Sequence, residues 1–138
     1  MSTIIQTQTT SFKRELYEAI HNLPVDVIKI ALYTASANLN EGTTAYSTAN
    51  EVTGTGYVAG GAVMTGVTVS SSGYTAFVNF ANVVFGAAVT ARCALIYNSS
   101  KANRSIAVLD FGSDKTSANF TITMPSNTAT SALIRSSN

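Results

Sequence analysis

The sequence predicts an all-β protein: a jelly-roll-like two-sheet sandwich of about eight antiparallel strands, with one short N-terminal helix and an extended N-terminal arm. Three observations predict it. Beyond Pro24 the apolar residues recur with a period of two and β-branched side chains dominate. Clusters of Gly, Ser and Asn interrupt that pattern about every dozen residues, the spacing of short strands joined by turns. Finally, 138 residues suffice for one domain with its own core, and a single flat sheet of that many strands would leave a whole face wet.

Taken in order, residues 1–10 alternate hydroxyl and amide side chains around Ile4 and Ile5 without a helical stripe, which reads as the arm. Residues 11–138 then form the single sandwich domain. Its helix is expected over 11–23, because Phe12, Leu16, Ala19, Ile20 and Leu23 fall three and four apart on one face. Ser11 is placed to cap it and Pro24 to stop it. Lys13 and Arg14 sit in its first turn, where the helix dipole disfavours positive charge, so a negative group is expected nearby.

Strands are expected near Asp26–Thr34, Asn50–Tyr57, Gly61–Ser70, Tyr74–Phe85, Thr90–Asn98, Arg104–Phe111, Asn119–Met124 and Thr130–Arg135. Ser70–Gly73 and Asn98–Asn103 carry residues that tolerate positive φ or bond their own backbone, so each should join antiparallel neighbours. Ala35–Ala49 is a longer loop. Phe120, Ile122 and Met124 alternate with Thr121 and Thr123, the pattern of a strand with one buried face. Val83–Phe85, Ala94–Tyr97 and Ile106–Leu109 instead offer apolar atoms on both sides of their sheets. The second side requires cover from the helix, a loop or another chain, and one helix covers little, so a homodimer is expected.

Composition narrows the function. Only 11% of residues are charged, against 46% apolar, and the formal net charge is +1; roughly a quarter of the chain is Ser or Thr, so its polarity is that of short neutral hydroxyls. The few bases are scattered, which argues against nucleic acid or an anionic membrane as partner. The longest apolar runs are too short to span a bilayer, and Met1 to Arg14 lacks the apolar centre of a signal peptide, so synthesis in the cytoplasm is expected.

Little points to chemistry. His21 is the one histidine, and no nucleophile elbow accompanies it; a surface or helix-capping role is expected. Cys93 lies inside a strand and reads as a small buried hydrophobe. Asp110 and Asp114 flank Phe111-Gly112-Ser113 without the spacing of a calcium loop, and Lys115 beside them favours a solvated turn. Thr53-Gly54-Thr55-Gly56 and Gly60-Gly61 do not lead from a strand into a helix and lack a phosphate-binding lysine, so they read as strand bends or bulges. No catalytic residue, cofactor or metal is expected.

Several stretches carry a resemblance. Phe12-Lys13-Arg14-Glu15-Leu16 leads to Val27-Ile28-Lys29-Ile30-Ala31-Leu32-Tyr33-Thr34, followed by Thr43-Thr44-Ala45-Tyr46 and Asn50-Glu51-Val52-Thr53-Gly54-Thr55-Gly56-Tyr57. Ala59-Gly60-Gly61-Ala62, Ala91 to Asn98 and Val108-Leu109-Asp110-Phe111-Gly112 continue it. On these residues the chain resembles the capsid cement or decoration proteins of tailed bacteriophages. The resemblance implies a jelly-roll-like, dimeric, non-enzymatic virion protein. It would bind the outside of an icosahedral shell and clamp neighbouring major capsid proteins. The shared residues are glycines and strand cores, so they designate no contact residues. For the partner interface, Ile4, Ile5 and Phe12 are the candidates, as apolar residues in a segment with little core of its own to join. The alternative is a carbohydrate- or receptor-binding jelly roll of a phage fibre or spike, with Tyr17, Tyr33, Tyr46, Tyr57, Tyr74 and Tyr97 as stacking faces. An enzyme acting through His21 ranks third.

Overall fold

The computed structural model describes residues 3–137, and the chain is mostly β, with one short helix and several antiparallel sheets. Met1, Ser2 and Asn138, the extreme ends of the expected arm and domain, lie outside the described residues. The centre is a five-stranded sheet, in the order β1 (Thr7–Gln8), β8 (Arg104–Ser117), β7 (Val89–Asn98), β2 (Ile28–Tyr33) and β3 (Ala62–Val63). Beside it lie a three-stranded sheet of β10 (Ile134–Ser136), β5 (Thr75–Asn79) and β4 (Thr68–Ser72), and a pair of β6 (Val83–Val84) with β9 (Thr121–Ile122). All pairings between these strands are antiparallel.

The two-sided strands β2, β7 and β8 form the middle of the large sheet, and both its faces are buried. On one face Ile28, Ile30, Leu32, Ala94, Ile96 and Ile106 meet Phe12 of the helix together with Phe80, Val83, Phe120, Ile122 and Ile134 from around the smaller sheets. On the other, Ala31, Tyr33, Cys93, Leu95, Tyr97 and Val108 are covered by Ala37, Leu39 and Tyr46 of the long loop and by Ile4 of the arm. The cover expected from a second chain is therefore supplied by the chain's own loop, and these strands give no reason for a dimer.

The arm is extended, as expected, but it is built into the domain. Ile5 N–H donates to Leu39 O (2.9 Å), Leu39 N–H donates to Thr3 O (2.9 Å), and β1 pairs with β8 in register Thr7 to Val108. It thus ties the long loop to the sheet edge.

Helix α1 spans Thr10–Tyr17, shorter than the expected 11–23. Its cap is Thr9, whose Oγ1 accepts from Phe12 N–H, rather than Ser11. It ends in a left-handed turn: Ala19 has φ +58°, its N–H donates to Leu16 O and Ile20 N–H donates to Glu15 O. That is the reciprocal closure usually made with glycine. The apolar spacing continues beyond Tyr17 because this turn folds His21 and Leu23 back into the interior. Shortening also puts Arg14 in the last turn, where the dipole favours it, with Glu18 3.5 Å away.

Other boundaries differ for local reasons. Asn50–Tyr57 is not a strand; only single bridges, Tyr33 to Glu51 and Thr55 to Ala88, hold it. Gly61–Ser70 divides at Gly66, φ +64°, into β3 and β4 of different sheets, and Tyr74–Phe85 divides into β5 and β6. β8 runs on to Ser117, its register against β7 broken between Ala91 and Cys93, which pair with Lys115 and Asp110. Phe111-Gly112-Ser113 therefore lies in a bulge, not in a turn between strands. The two connections expected at Ser70–Gly73 and Asn98–Asn103 close the β4–β5 and β7–β8 hairpins.

Candidate interaction surface

The residues singled out for a partner interface have different fates. Phe12 is fully buried in the chain's own core, its ring 5.0 Å from that of His21, so it offers no surface to a partner and leaves the candidate set. Ile4 is half-buried against the loop. Ile5 is exposed, although its backbone is already engaged. The arm does have core to join, which the sequence pattern of isolated isoleucines did not reveal.

His21 is not at the surface. Its Nε2 lies 2.8 Å from Glu15 Oε1, and its Nδ1 faces Asn98 Nδ2 at 3.0 Å. Because an amide NH2 only donates, Nδ1 accepts and the proton sits on Nε2, pointing at Glu15. Arg104 Nη1 donates to the other oxygen of Glu15 at 3.0 Å. Asn98 Nδ2 also donates to Asp26 Oδ2 (2.7 Å), and Lys101 Nζ reaches both oxygens of Asp26 and the carbonyl of Ile20. Burial works against the ionised Asp26, but bonds from Asn98, the Asn22 N–H and Lys101 outweigh it and hold the carboxyl below its ordinary value. This network staples the helix and its C-terminal turn to the β7–β8 hairpin. No nucleophile joins it, and the His21 side chain is closed to solvent.

The second polar cluster locks the loop. Glu51 accepts from Tyr46 Oη (2.6 Å), Tyr57 Oη (2.5 Å) and Gly60 N–H (2.8 Å). Tyr33 Oη donates to Ser47 O and Tyr97 Oη to Gly60 O, each at 2.6 Å, and the Tyr46 and Tyr97 rings stack at 4.7 Å. Burial first, then Glu51, by its charge at Tyr33 and by its hydrogen bond at Tyr57, pushes both phenols up, so they remain donors. Four of the six tyrosines are thereby engaged internally; Tyr17 and Tyr74 alone stand almost fully in solvent.

The remaining candidates are quiet. Cys93 is buried beside Thr34 O, and burial pushes its thiol up to about 12. Asp110 is bound by Arg92 at 2.9 Å and by Gly112 N–H at 2.8 Å, while Asp114 is exposed. Among the described residues no three His, Cys, Asp or Glu side chains converge, and no buried side-chain polar atom lacks a partner. The glycine runs serve close approach: at Gly61, φ +82°, an added Cβ would stand 1.9 Å from Ile30 O. An apolar groove of about 510 Å³ runs between Leu109, Phe111, Phe120 and Ile122.

What whole-chain charge counting hides is its distribution. From Val52 through Ala91 there is no Asp, Glu, Lys, Arg or His. This neutral segment supplies β3, β4, β5 and β6, and three of these, β3, β4 and β6, are edge strands, one in each sheet. It also carries Val58, Val63, Val69, Tyr74 and Val84, all large, apolar and more than half exposed. An edge with exposed valines and no charge lacks the guard by which sheet edges normally repel other protein. No family model matches the chain, and neither a curated protein nor a solved structure does.

Proposed function

We propose that this chain is a non-enzymatic structural protein of a tailed-phage virion. It binds the outside of an icosahedral capsid and clamps neighbouring major capsid proteins, stabilising the mature shell. The jelly-roll connectivity and the virion location belong to this reading. The observation that carries it is the neutral segment, which offers exposed apolar side chains at an edge of every sheet. The interior polar groups support it too, since their hydrogen bonds brace the fold.

A permanent assembly rewards such a surface. Hydroxyls and valines can be buried against a partner without the desolvation cost of ions. Many copies make weak contacts effective, because a subunit bridging two capsomers makes its second contact intramolecular. The clamp shifts the shell toward its expanded state in proportion to its differential affinity for that state. Neither nucleic acid nor membrane enters this mechanism.

The test is to mix the purified protein with undecorated mature shells and image the pellet after sedimentation. Expected is regular decoration that survives a rise in salt, because neutral contacts are not screened, and shells that resist heat or denaturant better. Absence of decoration at saturating protein refutes the proposal.

A further inference from the structure

The sheet edges opposite β3 and β4 are of another kind. The five-stranded sheet ends there in β1 and the three-stranded sheet in β10, and Gln8 Nε2 of β1 donates to Arg135 O of β10 (3.2 Å). Two hollows meet at these residues. One, of about 490 Å³, is lined by Gln8 and Arg135 with Lys13, Leu16 and Tyr17 of the helix. The other, of about 430 Å³, is lined by Gln8 and Arg135 with Gln6 and Leu133. Both also include Ser137, so they make one trough along the arm. Thr9 N–H donates to Ile106 O (3.0 Å), and alternation along β1 therefore turns Gln8 N–H away from β8, toward the open edge of the sheet.

No Asp or Glu lines the trough, and among the described residues neither Lys13 nor Arg135 has an acidic partner. The neighbouring charges are engaged elsewhere. Arg14 pairs with Glu18, Glu15 is buried against His21 and Arg104, and the arm from Thr3 to Ser11 carries no ionisable side chain. Arg135 Nη1 donates to Thr130 O (2.8 Å). The negative group that the sequence leads one to expect beside Lys13 and Arg14 is thus present for Arg14 and missing for Lys13. Leu16 and Tyr17, three and four residues after Lys13, share its side of the helix, and Tyr17 is 93% exposed.

We propose that this trough is a second binding site, which takes an extended acidic segment of a partner polypeptide. The segment lies along β1 and a carbonyl of it accepts from Gln8 N–H. Its carboxylates meet Lys13 and Arg135, and an apolar residue beside them covers Leu16 and Tyr17. Charge selects the acid, because two cations without a counter-charge attract a carboxylate and repel a basic segment. The strand edge and the apolar helix face select a polypeptide, since a simple anion would use neither. The trough lies across both sheets from β3 and β4, so it stays open when those neutral edges are covered. This inference does not rest on the capsid reading.

The experiment is titration of the isotope-labelled full chain with a short peptide of alternating glutamate and valine, followed by amide chemical shifts, with no shell present. Expected are saturable shifts grouped at Gln8, Lys13, Tyr17 and Arg135. They should fade as salt is raised, unlike the decoration of shells, and the same peptide with lysine for glutamate should give none. Lys13→Glu suits the helix dipole in the first turn, so it should fold, and it should weaken binding at least about fivefold; Arg135→Gln removes one charge and should weaken it about twofold or more. Shifts that fall elsewhere, that the lysine peptide reproduces, or that both folded variants leave unchanged overturn the proposal. So does the absence of saturable shifts in low salt. Shifts at these residues from polygalacturonate, where the glutamate peptide gives none, overturn it in favour of an acidic saccharide. Since attachment to shells is assigned to the neutral segment, failure here leaves the cement proposal standing.

Discussion

Two regions of this molecule are held together differently. At the helix end, Glu15, His21, Arg104, Asn98, Asp26 and Lys101 form a continuous chain of hydrogen bonds, most of them charge-assisted and largely buried. In the neutral segment from Val52 to Ala91, short strands are held by backbone ladders and close glycine packing, with apolar side chains left outside. Buried ions are costly to desolvate and tolerate few alternative arrangements, so they serve a part that must stay in one place. A neutral edge is cheap to desolvate, so it suits a part that is to be covered by another protein. Low overall charge is thus uneven: ions stand where the chain braces itself and are missing from the segment we propose as the attachment surface.

The largest expected effect lies in the neutral segment, through backbone rather than charge. Gly61→Ala places a Cβ against Ile30 O with φ +82°, so the turn before β3 must leave the sheet. A loss above about 3 kcal/mol is expected by denaturant unfolding, in the range reserved for backbone clashes and strain. In the braced region Glu15→Ala removes the acceptor of both His21 and Arg104; about 2–3 kcal/mol should be lost, because the histidine donor stays buried without a partner.

Acid should act through two carboxyls, one at the braced end and one in the β7–β8 bulge. The carboxyls of Asp26 and Asp110 are held below the ordinary 3.8, the second by Arg92 and then the Gly112 N–H. A depressed folded pKa means that the stabilisation is complete above the unfolded value and is lost as pH falls through the folded one. The melting temperature should therefore fall steadily below pH 3.8, and less steeply in Asp26→Asn, which no longer titrates there. The smallest effect is a gain. Ala19→Gly relieves a left-handed alanine at the helix end, and should add about 1 kcal/mol, measurable as a higher unfolding midpoint.

How much of this was legible follows from the kind of signal. β2, β7 and the first half of β8 are long apolar runs, and the hairpin turns carry Gly73 and Asn103 at positive φ, so pattern and structure coincide there, although Ala102 also takes φ +55° without any signal in its residue type. The helix end was not legible, because alanine at residue 19 gives no stop signal and the apolar period continues through the turn. Asn50–Tyr57 imitates a strand: Val52 is buried and Glu51 is anchored by two phenols, yet no ladder forms. The loop as cover for the second face required knowledge of three-dimensional contacts, since Ala37, Leu39 and Tyr46 are too sparse to form a pattern. Of the interface candidates, Phe12 was visible and lies buried in the core, whereas the neutral segment stood in the sequence and is found only when charge is read by position.

The central claim is that the neutral segment is the face by which the protein attaches. The direct measurement is binding of Val58→Asp and Val84→Asp to undecorated shells, beside wild type and a Lys13→Ala control, with unchanged unfolding midpoints confirming the fold. Both valines are well exposed, so their replacement should alter stability by less than about 0.5 kcal/mol. Expected is full decoration by wild type and control, and loss of at least about tenfold in affinity for one or both aspartate variants, since a charge must then be desolvated at the contact. Equal decoration by all four proteins, or by none, contradicts the claim.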